Sequence, residues 1–177
     1  MRAGEAMNAQ AFPKPALRPM LPQDAQILAE IFRDSVAELT GEDYDEAQQE
    51  AWIATADDEE AFAEKLGDEL TLIATISGSP VAFISLKGQD QIDMLYVHPG
   101  VARTGVATLL LDAIEKLARS RAATHLAVDA SDTARPFFEK RGFFALHRQT
   151  VPCGDEWLGN THMEKPLEAE PERGMPR

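Results

Sequence analysis

Residues 95–108 read LYVHPGVARTGVAT, and LLLDAIEKLA follows at 109–118. An apolar run ends at Pro99 and Gly100. A short loop with one arginine then gives way to a helical pattern. Val106, Leu110, Ala113, Ile114 and Leu117 share one face of that pattern, and Asp112, Glu115, Lys116 and Arg119 share the other. The helix start has no Asp, Asn or Ser to cap it, yet its first N–H groups need acceptors. One answer is an external anion. Backbone N–H groups at 103–108 can point outward together, the helix dipole adds partial positive charge, and Gly105 and Ala107 let a phosphate come close. Arg103 can add a charge-assisted contact. The other answer is a tight turn whose small residues serve helix–sheet packing. The loop by itself leaves both open. It fits neither G-x-G-x-x-G nor G-x-x-x-x-G-K-[ST], so the dinucleotide and P-loop readings lose support.

The pattern around this unit alternates between strands and helices. PALRPML (15–21) is a short strand candidate weakened by its prolines, and Pro22 to Leu39 carries apolar residues at helical spacing. A second helix is expected over Asp45 to Ala54, with Trp52 on it. A third is expected over Asp58 to Leu66, ending at Gly67 as a C-terminal cap. LTLIATIS (70–77) and VAFISLKG (81–88) flank Gly78-Ser79-Pro80 and predict a β-hairpin; QIDMLYV (91–97) is the next strand. THLAVDA (124–130) is a strand and TARPFFEKR (133–141) a short helix stopped by Gly142, while 143–151 and 161–167 are closing strands. The sum is one α/β (α+β) domain over 16–167, with a mixed, mostly antiparallel twisted sheet and flanking helices. Residues 1–15 and 168–177 are rich in Pro, Gly and charge and are expected to be disordered.

Composition narrows the function. With 177 residues, 44% hydrophobic and 27% charged, the chain reads as soluble and globular. A net charge of −13 argues against nucleic-acid binding, which needs a basic surface, and suits either solubility or attraction of a cationic amine. The single cysteine, Cys153, permits no intrachain disulfide. No apolar run is long enough to span a membrane, and the N-terminal residues do not resemble a signal peptide, so the expected location is the cytoplasm. His98 sits at the strand end beside the loop and titrates near neutral pH, though a loop histidine is more often structural; His125, His147 and His162 show no ligand spacing, and no metal site is expected.

The segment LYVHPGVARTGVATLLLDAIEKLA resembles the central motif of the GCN5-related N-acetyltransferases, whose loop Q/R-x-x-G-x-G/A holds the pyrophosphate of acetyl-CoA on its amides. Gly105 and Ala107 match the last two signature positions; Ala102 stands at the Q/R position, with the arginine one residue later. ASDTARPFFEKRGFF (130–144) resembles the family's later motif, and one strand fits between the two, as the family topology requires. LRPMLPQDA at 17–25 looks like the usual opening of this fold. YDEAQQEAWIA with FFEKRGF resembles an uncharacterised bacterial branch.

The resemblance implies an acyl-CoA acyltransferase fold with two sheet strands splayed into a V, and acetyl-CoA as cosubstrate lying between them. The implied cofactor contacts are Leu95 and Val97 on the strand edge, Ala102, Arg103, Thr104, Gly105, Val106, Ala107 and Thr108 on the loop, and Phe138 in the later motif. The Leu95 amide would hold the thioester carbonyl as an acceptor amine attacks directly. Asp93 is a candidate base on the premise that it alternates with Leu95 and Val97 and so shares their face. Many relatives have tyrosine at the Phe138 position to protonate the leaving thiolate. Phenylalanine cannot, which leaves Tyr96, Tyr44, water or no acid at all. Tyr44 and Trp52 are candidates for lining the acceptor pocket. The implied partner is a small-molecule or protein amine; a homodimer is open. The alternative function is a non-catalytic acyl-CoA-binding sensor or partner module on the same fold.

Overall fold

A computed structural model describes residues 13–168. Apart from residues 13–15 and 168, the segments expected to be disordered lie outside that range. Seven strands form one sheet in the order β1-β2-β3-β4-β5-β7-β6. They are β1 (Ala16–Pro19), β2 (Leu70–Ile76), β3 (Ser79–Lys87), β4 (Gln91–Val97), β5 (His125–Ser131), β6 (Phe144–Cys153) and β7 (Glu156–Pro166). Every pairing is antiparallel except β4 with β5, which the helix α4 (Val106–Ser120) connects as a crossover. Helices α1 (Ala25–Leu39), α2 (Glu46–Ala54) and α3 (Glu59–Asp68) precede β2, and α5 (Arg135–Glu139) follows β5.

The sheet separates two apolar layers. On one face, Leu110, Leu111 and Ile114 of α4 and Phe138 of α5 pack on Leu72, Ala74, Ala82, Ile84, Ile92 and Met163. On the other, Leu28, Phe32, Val36 of α1 and Phe62 and Leu66 of α3 pack on Ile73 and Phe83. Strands β2 and β3 are buried on both faces, which is why they read as near-continuous apolar runs.

Local chemistry sets most boundaries. The Asp45 side chain accepts from the Gln48 amide at 2.8 Å and caps α2, while Asp58 accepts from the Ala61 amide at 3.0 Å and caps α3. The β2–β3 turn places both Ser77 and Gly78 at positive φ, the geometry that fits the twist of a tight hairpin. Gly67, expected to end α3, lies inside it; the helix ends instead where Glu69 turns extended (φ −97°, ψ 160°) to enter β2. The last strand begins at Glu156, five residues before the expected start, because Gly154 at φ 57° closes a tight β6–β7 turn.

Two irregularities of β4 matter for function. β4 and β5 have seven residues each, yet they pair only at Gln91 with Ala127 and Ile92 with Val128. Beyond Ile92 the strands diverge and leave a V-shaped opening. A β-bulge also lies at the start of the opening: Ser85 pairs with Met94 and Leu86 with Ile92, so Asp93 is the extra residue on β4.

Candidate functional site

The bulge decides which backbone groups of β4 face the opening. The Ala127 amide donates to the Asp90 carbonyl at 2.8 Å, so at Asp90 the backbone points toward β5. The His98 amide donates to the Val81 carbonyl at 2.7 Å, so at His98 it points toward β3. Alternation along the strand then turns the N–H and C=O of Leu95 and Val97 away from β3 and into the V, while those of Met94 and Tyr96 bond to β3. Without the extra residue at 93 the parity would be reversed.

The same bulge overturns the expectation that Asp93 shares a face with Leu95 and Val97. Leu95 and Val97 pack toward the α4 layer, whereas Met94 and Tyr96 pack toward α1 and α3. Asp93 joins the second group: its carboxylate lies 3.0 Å from Lys65 Nζ on α3. Burial raises the neighbouring Glu69 carboxyl above its ordinary range, and the Asp93 charge adds to the shift.

At the other end of β4 the loop turns into α4. Gly105 is the N-cap residue with φ 93°, and no side chain caps the helix. Arg103 also has positive φ, 62°, uncommon outside glycine. The Ala102 amide donates to Pro99 and the Thr104 amide to Val101, while Leu109 makes the first helical bond, to Gly105. The amides of Arg103, Gly105, Val106, Ala107 and Thr108 have no acceptor among the described residues. Alternating left- and right-handed residues turn such amides into one concavity, which suits a phosphate. His98, beside the loop, is a structural cap: its Nδ1 accepts from the Gly100 amide at 3.0 Å.

On the α1–α3 side of the V stand three aromatic side chains. Tyr44, between α1 and α2, is buried and makes a clamp: the Asp132 amide donates to its hydroxyl at 2.9 Å, and the hydroxyl donates to the Gly159 carbonyl at 2.6 Å. Thr133 adds a bond to Asp43 at 2.7 Å, so the α1–α2 segment is tied to the arm of the V formed by β5 and β7. The Trp52 indole donates to the Tyr96 hydroxyl at 3.2 Å, which joins α2 to the other arm, and its ring meets Tyr44 edge-on at 5.2 Å. Burial of the Tyr96 hydroxyl pushes the phenol far above its ordinary value, with the Trp52 hydrogen bond opposing the shift. Its proton therefore stays on at neutral pH. Cys153 and Leu158 pack beside Tyr44.

Further along the same side of the sheet, His162 on β7 sits between two carboxylates. Its Nδ1 is 2.7 Å from Asp129 on β5, its Nε2 is 3.3 Å from Glu164, and the His147 ring stacks on it at 5.2 Å. Carboxylates only accept, so this setting favours the imidazolium, and the Asp129 hydrogen bond raises the His162 pKa. Phe138 is buried in the α4-side core, edge-on to Phe137 and Phe143, with centroids 5.2 and 5.1 Å away. The loop thus follows directly on the free edge of β4. The Tyr44 clamp and the His162–Asp129 contact, by contrast, join residues 33 to 115 positions apart and leave no periodic trace. Among the described residues no group of three or more His, Cys, Asp or Glu could hold a metal, and no helix is long and apolar enough to cross a membrane.

Known proteins share this sequence pattern and this fold. The acetyltransferase (GNAT) domain family matches residues 40–167. The uncharacterized N-acetyltransferase YafP of Escherichia coli K12 is 38% identical over 147 residues, which span 83% of this chain and 93% of that protein. The crystal structure of a GCN5-related N-acetyltransferase from Rhodopseudomonas palustris is 56% identical, with a TM-score of 0.86, covering 89% of this chain and 98% of that one. The PaiA N-acetyltransferase of Thermoplasma acidophilum, solved in complex with coenzyme A, shares the fold at 20% identity, with a TM-score of 0.72 over 86% of this chain and 99% of that one.

Proposed function

The chain belongs to the GNAT acetyltransferase family, and from that premise we propose that it moves the acetyl group of acetyl-CoA to a primary amine by direct attack of the amine on the thioester. The observation that carries this reading is the pairing of two unsatisfied backbone surfaces. One is the amide concavity at 103–108, the other the edge of β4 that the bulge turns into the V. The first suits the cosubstrate's pyrophosphate. The second suits an extended pantetheine arm laid along a strand edge, with the Leu95 amide donating to the thioester carbonyl and to the oxyanion that replaces it.

The acceptor approaches from the side of the sheet that carries Tyr44, Trp52 and Tyr96. There the amine must lose a proton before it attacks. Asp93 is paired with Lys65, and Asp129 and Glu164 are paired with His162; we assign proton removal to Asp129 or Glu164 because their side chains keep 45% and 32% of their surface, against 22% for Asp93. We assign the return of a proton to the departing thiolate, the task that Phe138 cannot perform, to the Tyr96 hydroxyl; the burial that raises its pKa makes it a weak acid, so its contribution to the rate is modest. The buried Phe138, with no hydroxyl, also favours the second reading, an acyl-CoA sensor that binds without turnover.

Isothermal titration with acetyl-CoA and with free CoA, followed by a thiol-release assay across small amines, polyamines and peptide amines, tests the proposal. Saturable 1:1 binding with CoA release on at least one amine is expected. Binding with no release across the panel favours the sensor. No saturable binding by a folded sample removes both.

A further inference from the structure

The arginines of this acidic chain are unevenly paired. Arg18 bonds Asp24 at 2.7 Å, Arg135 bonds Glu139 at 2.6 Å and Arg148 bonds Asp132 at 2.5 Å; Arg33 and Arg119 lie 3.7 and 3.9 Å from Glu59 and Glu115. Arg103, Arg121 and Arg141 have no carboxylate within 4.0 Å among the described residues. Arg121 caps the C-terminal end of α4, where the helix dipole welcomes a cation. Arg103 and Arg141 lie at the opposite end, where the dipole repels one.

Arg141 is also held rigidly. Its Nε donates to Thr108 Oγ1 at 3.0 Å and its Nη2 to the same oxygen, while Nη1 donates to the Phe137 carbonyl at 3.1 Å. The guanidinium carbon lies 3.9 Å from the centroid of the Phe137 ring. Thr108 is the last of the loop residues whose amides lack an acceptor. A planar cation stacked on an aromatic ring and bonded only to neutral oxygens is pre-organised with its charge uncompensated. Beside a concavity of free amides, this arrangement lacks only an anion.

We infer that Arg141 is a phosphate-binding residue of the cosubstrate site, the fixed cation that makes good the absence of a Q/R side chain at Ala102. The inference rests on the acetyl-CoA reading and adds to it a residue from the turn after α5, outside the loop. The shared chemistry is a phosphate oxygen, belonging either to the pyrophosphate or to the 3′-phosphate of the ribose.

Titrations of the full chain with acetyl-CoA and with dephospho-CoA, each at low and high salt, provide the test. Arg141→Gln is expected to raise the acetyl-CoA Kd by about tenfold or more at low salt. Its affinity should fall less steeply with salt than that of the wild type, a change that a merely structural brace would not produce. Arg141→Lys should recover part of the loss by restoring charge without the fork. Thr108→Val, which frees the guanidinium but keeps its charge, should weaken binding a fewfold and serves if Arg141→Gln does not fold. An equal Gln penalty on dephospho-CoA assigns the contact to the pyrophosphate, and a vanishing penalty assigns it to the 3′-phosphate; both uphold the inference. A folded Arg141→Gln with wild-type affinity and salt dependence overturns it while leaving the acetyl-CoA reading intact. Failure of the wild type itself to bind overturns both.

Discussion

Gly105 carries two demands at once. Its φ of 93° belongs to the left-handed region, and its N–H is one of the free amides of the loop. A Cβ there would meet no atom within 4 Å, so substitution strains the backbone rather than causing a clash. Gly105→Ala is expected to lower stability by about 1 kcal/mol, read from a urea midpoint, and to weaken acetyl-CoA binding because the amides lose their common direction. Tyr44 makes a different kind of prediction. Its hydroxyl serves the Asp132 amide and the Gly159 carbonyl together, so Tyr44→Phe leaves both without their partner and is expected to cost about 1–3 kcal/mol in the same measurement. The residue's type was legible in the sequence as a pocket candidate; its use as a clamp was not, because both partners come from distant strands. Tyr96→Phe, by contrast, is expected to reduce kcat while leaving acetyl-CoA affinity near wild type, once an acceptor is in hand.

At the scale of elements, β4 is the strand on which the site depends, and one extra residue determines its use. Hydrogen exchange reads this directly. The amides of Leu95 and Val97 should exchange quickly in the free protein and become protected with acetyl-CoA, whereas those of Met94 and Tyr96, bonded to β3, should be protected throughout. The reverse pattern would remove the Leu95 amide from the proposed oxyanion site. Simple period-2 alternation placed Asp93 with Leu95 and failed, because a bulge is set by pairing with the neighbouring strand and has no signature in QIDMLYV itself. Strand β7 carries a pH-dependent contact. The His162 pKa is raised in the folded chain, so its interaction with Asp129 and Glu164 stabilises the fold below the unfolded value of about 6.5 and fades as pH rises through the folded value. The stability gap between wild type and His162→Gln is therefore expected to be larger near pH 5.5 than near pH 9, in urea titrations at the two values.

At the scale of the whole molecule, the proposed cosubstrate would lie between two arms that are hydrogen-bonded to each other along only two residue pairs. Binding there joins the arms, and a ligand that binds only the folded state stabilises it by about 2.7 kcal/mol at a hundredfold excess over Kd. A rise of several degrees in thermal midpoint with acetyl-CoA is expected, and the rise should be lost in Gly105→Glu, whose carboxylate repels the phosphates. The sequence by itself determined the succession of strands and helices, the strand–loop–helix unit at 95–118 and the family, because periodicity, turn residues and the spacing of Gly105, Ala107 and FFEKRGF are properties of contiguous chain. Only the tertiary structure decided which edge of β4 is free, that Asp93 turns to Lys65, that Tyr44 fastens two arms together, and that Arg141 stands at the start of α4. Each of these depends on a register or a contact between segments far apart in the chain, and burial against a partner strand or helix leaves no local pattern from which to read it.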